Sequence, residues 1–155
     1  MYDSHAPEVF AGMALLMGFL FLAAFIVVMV FYLLTLQRTF EAISPENCEM
    51  QPPGLVWLNF IPLFNLGWTF VIVIKLANSI RKEYAALGIQ GECSGGFGVG
   101  LAYAICSVCS IIPFLGLFAG IGALVCWIIH WVQASGFRRV ILHHRAQAQG
   151  NPSSY

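Results

Sequence analysis

Cys106 and Cys109 form a CxxC pair inside an apolar stretch, and His130 follows beside Trp127, Trp131 and Gln133. Positions i and i+3 of a helix share a face, so the two thiols could act together in thiol–disulfide exchange. Such an enzyme needs a second, exchange-competent pair. In the span scheme below, Cys48 and Cys93 fall on opposite sides of a membrane. Cys126 sits roughly 7 Å deeper than Cys106 along the helix axis, too far for an unstrained bridge with Cα atoms ~5.5 Å apart. The plainer reading of Cys106 and Cys109 is packing as small apolar residues. The same mismatch in depth opposes a zinc site from Cys106, Cys109 and His130, because Zn–S bonds are only ~2.3 Å long. His130 reads as an interfacial or interhelical hydrogen bonder. A proton relay needs an acidic partner, and no Asp or Glu is read as intramembrane.

Lys75, Asn78 and Lys82 (i, i+3, i+7) make one polar stripe on a helix. Lys75 is near enough to the basic helix end to snorkel toward lipid headgroups; otherwise the stripe faces a partner or an anionic ligand. Asn59 and Asn65 flank Pro62, and Asn65 is expected to cap backbone donors freed at the proline, with a ligand site at a broken helix as the alternative. Gly96-x-x-x-Gly100 and Gly116-x-x-x-Gly120 are small-residue words that let helix backbones approach in lipid, within the chain or against another subunit. His143 and His144 with Arg138, Arg139 and Arg145 read first as orientation charge and second as a surface for anionic lipid.

The elements that must position these residues follow from polarity. Of 155 residues, 59% are hydrophobic and 9% charged, against about 25% charged in a soluble domain. A soluble fold of this size has too little interior for so much apolar surface. The formal charge is zero, which offers no basic surface for nucleic acid. The expected fold is all-α, an integral membrane four-helix bundle in one domain over 1–136, with a basic then polar tail over 137–155. Spans are expected at about 9–36, 55–84, 97–112 and 114–136. The first extends roughly 42 Å as a helix, longer than a hydrocarbon core of about 30 Å. It lacks the basic start of a secretory signal and reads as a retained span. Pro62 suggests that Leu55 to Ile61 is a separate element. Ser44 and Pro45 suggest a short helix start in the polar loop 37–54. Ile61-Pro62-Leu63-Phe64-Asn65-Leu66 and Ile112-Pro113-Phe114-Leu115-Gly116-Leu117 form a weak internal echo. Arg81, Lys82, Arg138, Arg139 and Arg145 fall on one side of this scheme and Arg38 on the other. That distribution places both termini in the cytoplasm and the Ser44–Asn47 loop outside.

The words Ser44-Pro45-Glu46-Asn47, Ile61-Pro62-Leu63-Phe64-Asn65 and the Lys75 to Arg81 helix end, with the later stretch SIIPFLGLFAGIGALVCWIIHWVQASGF, carry a resemblance. The chain resembles a group of small bacterial four-span membrane proteins of unknown function, in which a Pro-x-x-Asn-Leu word opens a helix. The resemblance implies a location in the bacterial inner membrane and brings no activity with it.

The expected function is therefore non-enzymatic: an accessory or scaffold subunit of a larger bacterial membrane complex, surrounded by lipid and other integral membrane subunits, with no cofactor. A small oligomeric channel or transporter using Asn59, Asn65, Lys75 and Asn78 is the second expectation. A thiol redox enzyme using Cys106 and Cys109 is the third.

Overall fold

The computed structural model describes residues 6–61, 63–89 and 93–150. Pro62, and with it the expectation of a helix break there, lies outside the described residues. Those residues are all-helical: α1 (Ala6–Ala42), a 3-10 helix (Pro53–Phe60), α2 (Phe64–Ala86), α3 (Phe97–Cys109) and α4 (Gly116–Gly150). The chain divides into two units, Met1–Leu33 and Leu34–Tyr155.

The first unit is the N-terminal part of α1. Its Leu, Met, Ala and Phe are compatible with a helix, and its large apolar side chains stay exposed, among them Phe10, Leu15, Met17, Phe19 and Phe21. α1 and α4 are each long and apolar enough to cross a membrane.

The second unit is built around the α3–α4 hairpin, with α2 against α3 and the 3-10 helix against α2. Two glycines allow α3 to start where it does. Gly95 and Gly96 have φ of +62° and +75°, and a Cβ on Gly95 would stand 2.6 Å from the Ala77 carbonyl oxygen of α2. That close approach and that backbone conformation both exclude a side chain. α2 ends in a Schellman motif, Gly88 N–H to Ala85 O at 3.2 Å and Ile89 N–H to Tyr84 O at 3.0 Å, with Gly88 at φ +64°. The 3-10 helix is capped by Pro52, begins on Pro53, and is pinned to α2 by Trp68 Nε1 donating to Leu55 O (2.9 Å) and Thr69 Oγ1 donating to Asn59 Oδ1 (3.1 Å).

Several boundaries differ from the sequence reading. α1 continues past residue 36 to Ala42, because Thr39 satisfies its hydroxyl on the Thr35 carbonyl and needs no water. The span expected over about 55–84 is not one helix: the separate element expected over Leu55 to Ile61 is present as the 3-10 helix Pro53–Phe60, and α2 starts at Phe64. Ser44 opens only one turn, with Asn47 N–H and Cys48 N–H both donating to Ser44 O. α4 does not stop at Gly136 but runs on through the expected tail to Gly150. Ile141 on that extension is fully buried, so packing holds the helix beyond its apolar stretch.

The core of this unit lies toward one end, where Phe40, Ile43, Met50, Leu76, Ile80 and Ile141 are buried. The opposite end holds the start of α2 and the turn between α3 and α4, and its Leu63, Phe64, Phe114 and Leu115 are apolar and exposed. Leu63 (φ +65°) and Phe114 (φ +72°) each follow a proline in a conformation rare for non-glycine residues, and they are 84% and 99% exposed. Phe114 is the centre of a γ-turn closed by Leu115 N–H to Pro113 O at 2.9 Å, a turn of the rarer, strained hand. Around it the N–H groups of Ser110, Ile111, Ile112 and Gly116 all find carbonyls in the chain.

Candidate functional site

The charged end of the second unit is organised by two glutamates. α2 carries Lys75, Asn78, Ser79, Lys82 and Glu83 at i, i+3, i+4, i+7 and i+8, one continuous helical stripe. The loop after α1 lies along it. Glu49 is held through both backbone and carboxylate. Its N–H donates to Ser79 Oγ (2.9 Å), and its carbonyl accepts from Lys75 Nζ (2.9 Å). Its carboxylate takes Asn78 Nδ2 (3.2 Å) and Lys82 Nζ (2.8 Å). The Lys82 hydrogen bond holds the Glu49 carboxyl below its ordinary value, helped by Asn78 and by the charges of Lys82 and Lys75, and opposed by burial.

Glu83 is 1% exposed. One oxygen accepts from Ser44 N–H (3.1 Å) and Asn47 Nδ2 (2.8 Å); the other accepts from Ser44 Oγ (3.1 Å) and from Nε (3.2 Å) and Nη2 (2.5 Å) of Arg145 on α4. Arg145 Nη2 also donates to Ser44 Oγ at 2.5 Å. Leaving a buried carboxylate uncompensated costs several kcal/mol, roughly 3–5 when a partner is removed. Here both oxygens are saturated by charge-assisted and neutral donors. A carboxylate so occupied fixes structure and is not positioned to take a proton from a substrate.

These contacts correct the side assignment. Ser44, Asn47, Glu83 and Arg145 meet within hydrogen-bond distance, so the Ser44–Asn47 loop and the basic ends of α2 and α4 cannot lie on opposite faces of a hydrocarbon layer about 30 Å thick. The scheme that set both chain ends on one face depended on that separation. Arg38 also moves: it shares a groove with Arg138. All seven Lys and Arg residues thus gather at the same end of the second unit, Arg81 lying 5.7 Å over the Phe97 ring.

The other candidate residues are distributed as follows. Lys75 and Asn78 bind Glu49, the chain's own loop. Asn59 is buried and engaged by Thr69. Asn65 lies inside α2, whose cap position is Leu63, and its carbonyl accepts from Thr69 Oγ1 at 2.8 Å; it is not the cap. Gly96 faces α4, and Gly100 lies between α2 and α4. A Cβ on Gly96 would stand 3.2 Å from Gln133 Oε1, and one on Gly100 would stand 2.7 Å from Val73 Cγ1 and 2.8 Å from His130 Cδ2. Gly116 abuts the Ser110 carbonyl, whereas among the described residues nothing beyond its own helix turn comes within 4 Å of a Cβ on Gly120. Cys106 and Cys109 are free thiols, half-buried, as are Cys48, Cys93 and Cys126. His130 is 2% exposed, in a layer where Trp131 Nε1 donates to Thr35 Oγ1 at 2.9 Å and Thr39 Oγ1 reaches Ala134 O at 3.4 Å. His143 and His144 stack edge-on at 6.0 Å. No group of three or more His, Cys, Asp and Glu side chains converges as a metal site among the described residues.

Glu49 and Glu83 are the organising residues that the sequence reading passed over. Their signal was the full stripe: adding Ser79 and Glu83 to Lys75, Asn78 and Lys82 completes a helical face too polar for lipid. No protein-family model matches the chain, and no curated protein or solved structure matches it either.

Proposed function

We propose that the chain is a non-enzymatic accessory or scaffold subunit of a larger bacterial inner-membrane complex, its helices bundled in the bilayer and its charged end in the cytoplasm. The observation that carries this reading is α1. None of its most apolar stretch is buried within the protein, and Phe10, Phe19, Phe21 and Leu15 are each more than two-thirds exposed. A surface of that size needs lipid or other helices as its solvent. The gathering of all seven basic residues at one end of the second unit supports a cytoplasmic face there. A scaffold role draws support from how the polar groups are used: Glu83, Glu49, Lys75 and Asn78 hold the chain to itself. The channel reading has less behind it, since Asn59, Lys75 and Asn78 already have intramolecular partners.

The test is purification from native membranes in a gentle detergent. Stoichiometric co-purifying membrane subunits are expected, with cross-links mapping to the exposed face of α1. A clean monomer with no partner in any detergent would overturn the scaffold role. A product that dissolves without detergent would overturn the membrane reading itself.

A further inference from the structure

The last turns of α1 and the middle of α4 border a groove of about 310 Å³ lined by Arg38, Glu41, Ala42, Arg138 and Leu142. Four of the other basic side chains of this end are engaged, Lys75 and Lys82 at Glu49, Arg145 at Glu83 and Arg81 over Phe97, and Arg139 is exposed outside the groove lining. Arg38 and Arg138 have no ion pair or hydrogen bond among the described residues. The groove's one carboxylate, Glu41, accepts instead from Gln37 Nε2 at 2.8 Å.

Two guanidiniums converging on one groove repel each other unless an anion lies between them. With Glu41 ionised, the lining carries a net single positive charge. The matching ligand is a monoanion with several acceptor oxygens, since each guanidinium offers a planar fork of donors. A phosphodiester has that charge and that geometry. Ala42 and Leu142 add apolar surface beside the charges, which suits a phosphate carried on an acyl glycerol more than a free, fully hydrated ion.

We infer that Arg38 and Arg138 hold the phosphate of an anionic phospholipid in the groove between α1 and α4. The inference rests on the reading that this end of the second unit meets the cytoplasmic bilayer surface. A lipid with a cationic headgroup is disfavoured, because its amine adds a positive charge beside the arginines.

The experiment uses the full chain, delipidated in an uncharged detergent and titrated with phosphatidylglycerol, with phosphatidylcholine of the same acyl chains, and with inorganic phosphate. Binding is read by native mass spectrometry. Phosphatidylglycerol is expected to bind at least about tenfold more tightly than phosphatidylcholine. Each of Arg38→Gln and Arg138→Gln should weaken it about fivefold, and the double variant roughly thirtyfold, as for basic residues at an anionic surface. Arg139→Gln, a neighbour outside the lining, should bind as wild type. Glu41→Gln should bind more tightly, which keeps the proposal testable even if an arginine variant folds poorly. Equal affinity for the two lipids, a loss in Arg139→Gln as large as in the double variant, or weaker binding by Glu41→Gln would overturn the proposal. Full competition by equimolar inorganic phosphate would replace the lipid by a free anion and overturn it too. A chain that needs detergent yet ignores headgroup charge ends this proposal and leaves the membrane reading standing; solubility without detergent ends both.

Discussion

Glu83 on α2 and Arg145 on α4 lie 62 positions apart and form an ion pair in which the carboxylate is 1% exposed and the guanidinium 31%. Ser44 completes the triangle, donating to the carboxylate and accepting from the guanidinium. This pairing ties the loop after α1 to both helices.

Removing Arg145 strands the Glu83 charge. Arg145→Ala should lower unfolding stability by about 2–3 kcal/mol, less than for a fully buried pair because the guanidinium is partly solvated. Glu83→Gln in that background should recover part of the loss, because a neutral amide is cheaper to bury than an unpaired carboxylate. Chemical unfolding in detergent of the single and double variants measures the coupling; additive effects would contradict the pairing.

Gly100 and Gly120 should respond oppositely to one methyl group. Gly100→Ala drives a Cβ against Val73 and His130 and should cost about 1–3 kcal/mol. Gly120→Ala meets none of the described residues beyond its own helix turn and should be neutral or slightly stabilising in the isolated protein. Melting temperatures of the two variants side by side decide the point.

Glu49 gives a pH dependence with a defined sign. Its folded pKa lies below the ordinary 4.5, so its contribution is fully present above that value. It is lost as pH falls below 4.5 and through the folded pKa. Lys82 is half-exposed, so the contribution is at most about 1 kcal/mol. Glu49→Gln should flatten the acid limb of the stability curve: its deficit of at most about 1 kcal/mol appears near neutrality and vanishes at low pH, where the wild-type carboxyl is protonated too.

The Ser44–Asn47 loop and the end of α4 should be reached from the same side of a membrane. With the native cysteines replaced, Glu46→Cys and Ala148→Cys should react together with an impermeant maleimide in inverted vesicles, and neither should react in intact cells. Labelling of the two from opposite sides would be incompatible with the Ser44–Arg145 contact.

Much of the helical layout was legible because its punctuation is local. Gly95 and Gly96 mark the start of α3, Pro113 marks the turn before α4, and the charge-free run after Glu8 marks α1. The length of α4 was not legible: polarity beyond Gly136 looked like solvent exposure, yet Ile141 packs inward and carries the helix on. The loop misled for a related reason. Ser44 followed by Pro45 looks like a helix start, but its hydroxyl and N–H are taken by Glu83, a partner 39 positions away. Side assignment failed with it, since counting charges per loop assumes that each loop stays on its own side. The Lys75 stripe was visible, but its occupant, Glu49, was not, because pairing between distant residues leaves no periodic trace.

The order in which the ribosome delivers these residues has a consequence. Ser44, Asn47 and Glu83 emerge well before Arg145, so the nascent polypeptide must carry an unneutralised carboxylate until α4 is released. A product cut short before Arg145 would display Glu83 and a loosened loop to the quality-control proteases of the host.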